Sequence, residues 1–268
     1  MADDREVLRE IWEGKLPICF TLSPDEVHTP TAPDPYYLMV PRLSYFPLVT
    51  DKVRRYFARY IHPDRQEAEL WLEFEGQPLK WHYPIGVLYD NNASNARSLP
   101  WKLEVHFDKF PEQKLIHCPS REAVESHFMS CLKEADALKH RGIVVSGMQK
   151  KDHNQLWTGL QNDKFDQFWA INRKIMECSD EGFRHIPFRL YHSSLGDRPF
   201  LQSLIKPIQE GGFKATLALL VQECLPDMNP DEISIITHGI RIPLETPLQW
   251  LSEHLSFPDN FLHLTVQI

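Results

Sequence analysis

Read as an alternation of apolar and polar side chains, the chain changes period several times along its length. Residues 3–14 carry Val7, Leu8, Ile11 and Trp12 at helical spacing and end on Gly14, a common helix stop. That pattern predicts a short helix whose apolar face docks on the protein itself. Two strand-like runs follow, at 16–22 and 36–44, separated by a loop holding Pro24, Pro30, Pro33 and Pro35. Val53, Tyr56, Phe57 and Tyr60 then recur at helical spacing, after Thr50 and Asp51, either of which can cap a helix. Residues 69–75 alternate as a strand, Gly76 turns the chain, and 101–107 alternate again.

The last third repeats this order. Runs at 186–191 and 200–207 read as strands, 216–224 as a helix, and 234–242 as a strand with a turn or bulge at Gly239. Residues 260–268 alternate large apolar and polar side chains, and they resemble the closing strand of ubiquitin. Pro78-Leu79-Lys80-Trp81 and Pro247-Leu248-Gln249-Trp250 stand at matching places in the two copies and read as internal packing. Strand, strand, helix, strand, strand is the β-grasp order. A ubiquitin-like modifier continues past its last strand into a flexible Gly-Gly, so a chain ending at Ile268 is expected to be a receiver, an adaptor or part of the conjugating machinery rather than a donor.

Between the copies the period is helical. Ser120 can cap a helix with Glu122 near its positive end, and Val124, Phe128, Cys131, Ala135 and Leu138 form one stripe. Trp157, Leu160, Phe165, Phe168, Trp169, Ile175 and Met176 continue the core-forming pattern. The expected class is α+β: two ubiquitin-like β-grasp domains flanking a helix-rich domain, with a short N-terminal helix. The expected spans are 1–14 for that helix, 15–110 and 183–268 for the ubiquitin-like domains, and 118–180 for the helix-rich domain.

Composition narrows the function classes. Apolar residues make up 42% and charged residues 25%, and the net charge of −8 argues against a nucleic-acid binder. Five widely spaced cysteines (Cys19, Cys118, Cys131, Cys178, Cys224) fit free thiols in a reducing compartment. An acidic N-terminus without an apolar run, and a longest aliphatic run of only 217–221, predict a cytoplasmic chain. In that compartment the sequon Asn92-Ala93-Ser94 is a polar loop. Phosphate-loop, dinucleotide and zinc-spacing motifs are missing, so neither cofactor nor metal is expected.

Two chemical leads compete with a passive role. His62-Pro63-Asp64 after a basic helix resembles the chaperone-stimulating J-domain, but 69–75 has strand period where that fold needs a helix. Cys118 or Cys131 could pair with His117, His127 or His106 as a nucleophile. Cys131 lies on the apolar stripe, where burial raises a thiol's pKa, so Cys118 is the better candidate.

Lys133 lies two residues past Cys131, about 200° round the helix, and so faces solvent. Ser130 and Ala137, one turn away, are small enough for a bulky partner to approach. Residues 79–86 (LKWHYPIG), 127–140 (HFMSCLKEADALKH), 148–172 and 245–263 closely resemble the autophagy protein 5 family, with departures confined to loops at 25–35, 61–69, 91–98 and 226–232. The resemblance implies that Lys133 is the acceptor, through an isopeptide bond, of the ubiquitin-like autophagy protein 12. It also implies non-covalent binding of the N-terminal helix of autophagy protein 16 in a groove between the domains. The assembled complex would act like an E3 ligase, promoting lipidation of autophagy protein 8-type modifiers at the preautophagosomal membrane, where the chain would be peripheral. The catalytic cysteines would belong to the activating and conjugating enzymes. A free lysine is neutral in roughly one copy in a few thousand at pH 7, so such an acceptor supplies access and leaves orientation to its enzyme. Glu134 and Asp136 either help dock the conjugating enzyme or are solvated helix charges, the second being the favoured reading. A cysteine-dependent conjugating enzyme and a non-covalent ubiquitin-like adaptor stay open as alternatives.

Overall fold

The computed structural model describes residues 4–92, 99–178, 182–192 and 198–267; the end of the sequon and Ile268 lie outside them. By contacts the chain divides into two compact units, Gly14–Glu125 and Met1–Glu13 with Ser126–Ile268.

The N-terminal helix α1 (Arg5–Glu13) belongs to the second unit. Its apolar face docks there as the spacing predicts. Trp12 packs on the rings of Phe168 and Phe165 with centroids 5.0 and 6.0 Å away, and Val7 and Ile11 pack against the second β-grasp core.

In the unit Gly14–Glu125, β1 (Lys15–Leu22) and β2 (Tyr36–Pro41) form an antiparallel pair. A short α2 (Phe46–Val49) leads into α3 (Asp51–Phe57). The hydroxyl of Thr50 donates back to Phe46 O instead of capping α3. Then come β3 (Trp71–Phe74), β4 (Gln77–Pro78), α4 (Ile85–Asn92) and β5 (Trp101–His106). The sheet order is β2-β1-β5-β3-β4, with β1 and β5 parallel and every other pair antiparallel. Inward positions alternate as the sequence dictates: Ile18, Phe20, Leu103 and Val105 are buried, as are Val53 and Phe57 of α3. Glu75 and Gly76 both take positive φ, which makes the tight β3–β4 turn.

The other unit begins its helical part with α5 (Arg121–His140), whose first turns fall before the division, and α6 (Ile143–Ser146). The hairpin α7 (Lys150–Gln161) and α8 (Phe165–Met176) follows. Leu156, Leu160, Phe168 and Ile175 of the hairpin are buried, and Gly159 lets the backbone of Phe168 approach closely. The second sheet comprises β6 (Phe188–Tyr191), β7 (Ser234–Thr237), β8 (Ile240–Ile242) and β9 (Leu262–Gln267), with α9 (Leu217–Cys224) before β7 and α10 (Leu248–His254) before β9. Its order β6-β9-β7-β8, with β6 and β9 parallel, repeats the first sheet without a partner for β2.

That missing strand corrects the sequence reading of 200–207. Leu201 bridges Leu190, and Ile186 N–H donates to Ile205 O in the same register, but no backbone bond joins Phe188 to Ser203 between them. The segment keeps alternate burial yet stays an irregular edge. Residues 234–242 are likewise two strands, joined by a turn in which His238 and Gly239 take positive φ.

Candidate functional site

Helix α5 buries the predicted stripe: Val124, Phe128, Cys131 and Ala135 are buried and Leu138 half-buried. Opposite it Lys133 is exposed, with Ser130 and Ala137 exposed one turn to either side. Lys133 makes no hydrogen bond or ion pair with any described residue.

Its acidic neighbours are engaged elsewhere: Glu134 is exposed, as a solvated charge should be, whereas the burial of Asp136 corrects that reading. Glu134 accepts from Arg189 Nη2 at 3.0 Å and from Gln202 Nε2 at 3.2 Å. Asp136 is fully buried and accepts the Val145 N–H at 2.8 Å, fixing α6 to α5. With both carboxylates so engaged, neither pairs with the Lys133 ammonium.

Arg189 reaches Glu134 from β6. It is buried, with its guanidinium carbon 4.1 Å from the Phe261 ring centroid and 4.8 Å from that of Phe200, and one nitrogen 3.7 Å from Cys131 Sγ. A planar cation between two ring faces can keep its charge while dehydrated. Arg189 thereby joins the second sheet to the turn of α5 that carries Lys133.

Lys139, six residues on, is buried under α5. Its Nζ donates to Asn260 Oδ1 at 3.0 Å and lies 3.3 Å from Met176 Sδ and 4.5 Å from the Phe183 ring centroid. Burial pushes its amine down to about 7, partly countered by Glu253 and Asp136. The sequence reading missed Lys139 and Arg189. Lys139 was findable, because Phe128, Leu132, Ala135 and Lys139 share one helix face. Arg189 carries no such signal, since its partners come from distant parts of the chain.

Tyr191, His263 and Asp259 form a hydrogen-bonded chain, with Tyr191 Oη 2.8 Å from His263 Nδ1 and His263 Nε2 2.9 Å from Asp259 Oδ2. Burial would raise the Asp259 carboxyl, but His263, Arg189 and the Phe261 N–H hold it below the usual range. The layout is triad-like, yet all three side chains are buried beyond the reach of a substrate. It anchors the start of β9.

The candidate thiols sit in environments that keep them protonated. Burial, then the charge of Glu69, pushes the Cys118 thiol to about 11. The adjacent His117 gives its Nδ1 to Glu69 at 2.7 Å rather than to the thiol. Burial and Asp259 push Cys131 to about 11 despite Arg189, with His127 Nε2 3.6 Å away. His106 lies among glutamates on the first sheet, with neither cysteine as its partner. A nucleophile needs a thiolate, and these surroundings oppose one. No helix among the described residues is long and apolar enough to cross a membrane.

Three family models match the chain: the autophagy protein ATG5 UblA domain over residues 11–107, its alpha-helical bundle region over 121–178, and its UblB domain over 185–266. Autophagy protein 5 of Drosophila melanogaster is 56% identical over 99% of this chain and 98% of its own length. Autophagy-related protein 5 of Caenorhabditis elegans is 35% identical over 98% of both chains. In three dimensions the chain is similar to the crystal structure of Kluyveromyces marxianus Atg5, with a TM-score of 0.84, 21% identity, and coverage of 98% of this chain and 99% of that one.

Proposed function

The chain belongs to the autophagy protein 5 family, and from that premise we propose that it is a non-catalytic conjugation scaffold whose Lys133 accepts autophagy protein 12 through an isopeptide bond. Membership gives it a role in autophagy and its ubiquitin-like folds; the acceptor chemistry is our reading. One observation carries it. Lys133 is exposed between small residues on a long helix, and the acidic neighbours that would pair with it are turned away and occupied. A lysine so placed offers an amine that a conjugating enzyme can orient and desolvate for attack on a thioester. With the N-terminal helix of autophagy protein 16, the adduct would form an E3-like complex that promotes lipidation of autophagy protein 8-type modifiers. Through that complex the chain would sit peripherally on the preautophagosomal membrane.

The raised thiols favour this reading over a cysteine-dependent enzyme. Incubation with the activating and conjugating enzymes, modifier and ATP separates the alternatives on a denaturing gel. Lys133→Arg should abolish the adduct while the Cys118→Ser/Cys131→Ser double variant still forms it. Loss of the adduct only in the double variant would establish the enzyme reading, and absence of adduct even from the wild-type chain would leave the non-covalent adaptor.

A further inference from the structure

The outward face of the first sheet holds a set of ligating side chains that conjugation does not use. In the antiparallel β3–β5 pair, Glu73 stands directly opposite Glu104 and Trp71 opposite His106. Glu104 and His106 are two residues apart on one strand, so they share a face. His106 Nε2 lies 3.7 Å from Glu73 Oε2 and 3.7 Å from Glu104 Oε1, and the three ligand atoms fall within 4.8 Å of one another.

The imidazole is held in place from two directions. Trp71 stacks on it with ring centroids 4.0 Å apart and planes 11° off parallel, and the indole N–H is itself fixed to Asp108 O. His106 Nδ1 faces Glu26 Oε1 at 3.3 Å, while the Glu26 carboxylate also accepts the N–H groups of Phe107 and Asp108. Glu26 is thus the carboxylate nearest to Nδ1. Nε2, an atom buried from solvent and without a hydrogen bond, lies between the other two carboxylates.

Directly opposed like charges destabilise a strand pair, and Glu73 and Glu104 are so opposed. Among the described residues no lysine or arginine pairs with Glu73 or Glu104, Lys102 on the same face included. A divalent cation would relieve all of these contacts together. Two ligands at about 2.1 Å from a tetrahedral zinc are roughly 3.4 Å apart, within a few tenths of an ångström of the two His106–carboxylate separations of 3.7 Å. A histidine whose other nitrogen is held by a carboxylate is the usual outer-shell arrangement of such sites.

We propose that Glu73, Glu104 and His106 bind a divalent transition cation of the zinc class, with Glu26 orienting the histidine and a fourth position open to water or to a partner's side chain. The imidazole excludes magnesium- or calcium-type selectivity, which favours all-oxygen sets. No compact motif announces the site, because strand pairing brings its ligands together from positions 73 and 104–106.

The test is calorimetric titration of the full chain with zinc chloride, wild type against Glu104→Gln, Glu73→Gln and His106→Gln. The expected result is one cation bound per wild-type chain, a change in tryptophan fluorescence from the Trp71 stack, and at least a tenfold loss of affinity in each variant. Glu104 is partly exposed and faces away from the core, so Glu104→Gln keeps the test valid should His106→Gln fail to fold. Wild-type affinity in the variants would mean an adventitious ion only, held by thiols elsewhere, and would overturn the proposal. So would the absence of binding to the wild-type chain.

Discussion

Replacing Lys139 by methionine tests the buried polar seam beneath α5. The amine is surrounded by Asn260 and Met176, with Asp136, Cys178, Glu253 and Asp259 as the neighbouring titratable groups. Burial moves it from the ordinary 10.5 to about 7. An unfolded lysine keeps its proton up to its ordinary value, so between about pH 7 and 10 the unfolded chain binds more protons than the folded one. Stability therefore rises with pH in that window. For a shift of this size the linkage relation gives about 1.6 kcal/mol between roughly pH 7 and pH 8.5. Lys139→Met keeps the length and apolar stem but removes the titrating group, so this increment should vanish. Urea denaturation of both proteins at the two pH values measures it, by linear extrapolation. The window stops there because the raised thiols of Cys118 and Cys131 reverse the sign once unfolded thiols ionise. Equal pH dependence in the two proteins would refute the reasoning and show that Glu253 and Asp136 keep Lys139 charged inside the fold.

Two further predictions concern packing. A Cβ at Gly159 would stand 2.8 Å from Phe168 N and 2.9 Å from its Cα. Alanine's helix advantage of about 1 kcal/mol is outweighed by an overpacking cost of about 2 kcal/mol or more, so Gly159→Ala should melt lower, and an unchanged or higher midpoint would contradict the packing. Trp12→Ala removes the ring that docks α1 and should cost about 3–4 kcal/mol. Arg5→Ala breaks an exposed pair with Asp166 and a 6.0 Å contact over the Phe165 ring, and should leave the midpoint nearly unchanged; equal losses would show that surface charge, not the apolar face, holds the helix.

How much of this could be read beforehand depended on whether an element has two faces. Residues 101–107 have one buried and one solvated face, so their strand period is plain. The stripe of α5 is legible for the same reason. Helix α4 buries Ile85, Gly86, Val87, Leu88 and Asp90 and so shows no stripe; it went unread, as did α10, where Ser252, Glu253 and His254 are buried beside Leu248 and Leu251. The Pro-Leu-x-Trp motifs read correctly as packing at Leu79 and Leu248, which are buried, but Trp250 is left 39% exposed. The outward direction of Lys133 followed from helix geometry alone. The capture of Glu134 by Arg189 did not, because it depends on where the second sheet places β6. The missing rung between Phe188 and Ser203 is likewise set by tertiary packing, since alternate burial persists through it.

The central claim is that one lysine, exposed and unpaired on α5, receives the modifier. Its most direct test is mass-spectrometric mapping of the branched peptide after reconstituted conjugation of the full wild-type chain. The account predicts a single isopeptide branch at Lys133, with none at Lys139, whose amine is buried although its lower pKa leaves it more often neutral. A branch at another lysine, or a thioester at Cys118 or Cys131, would contradict it.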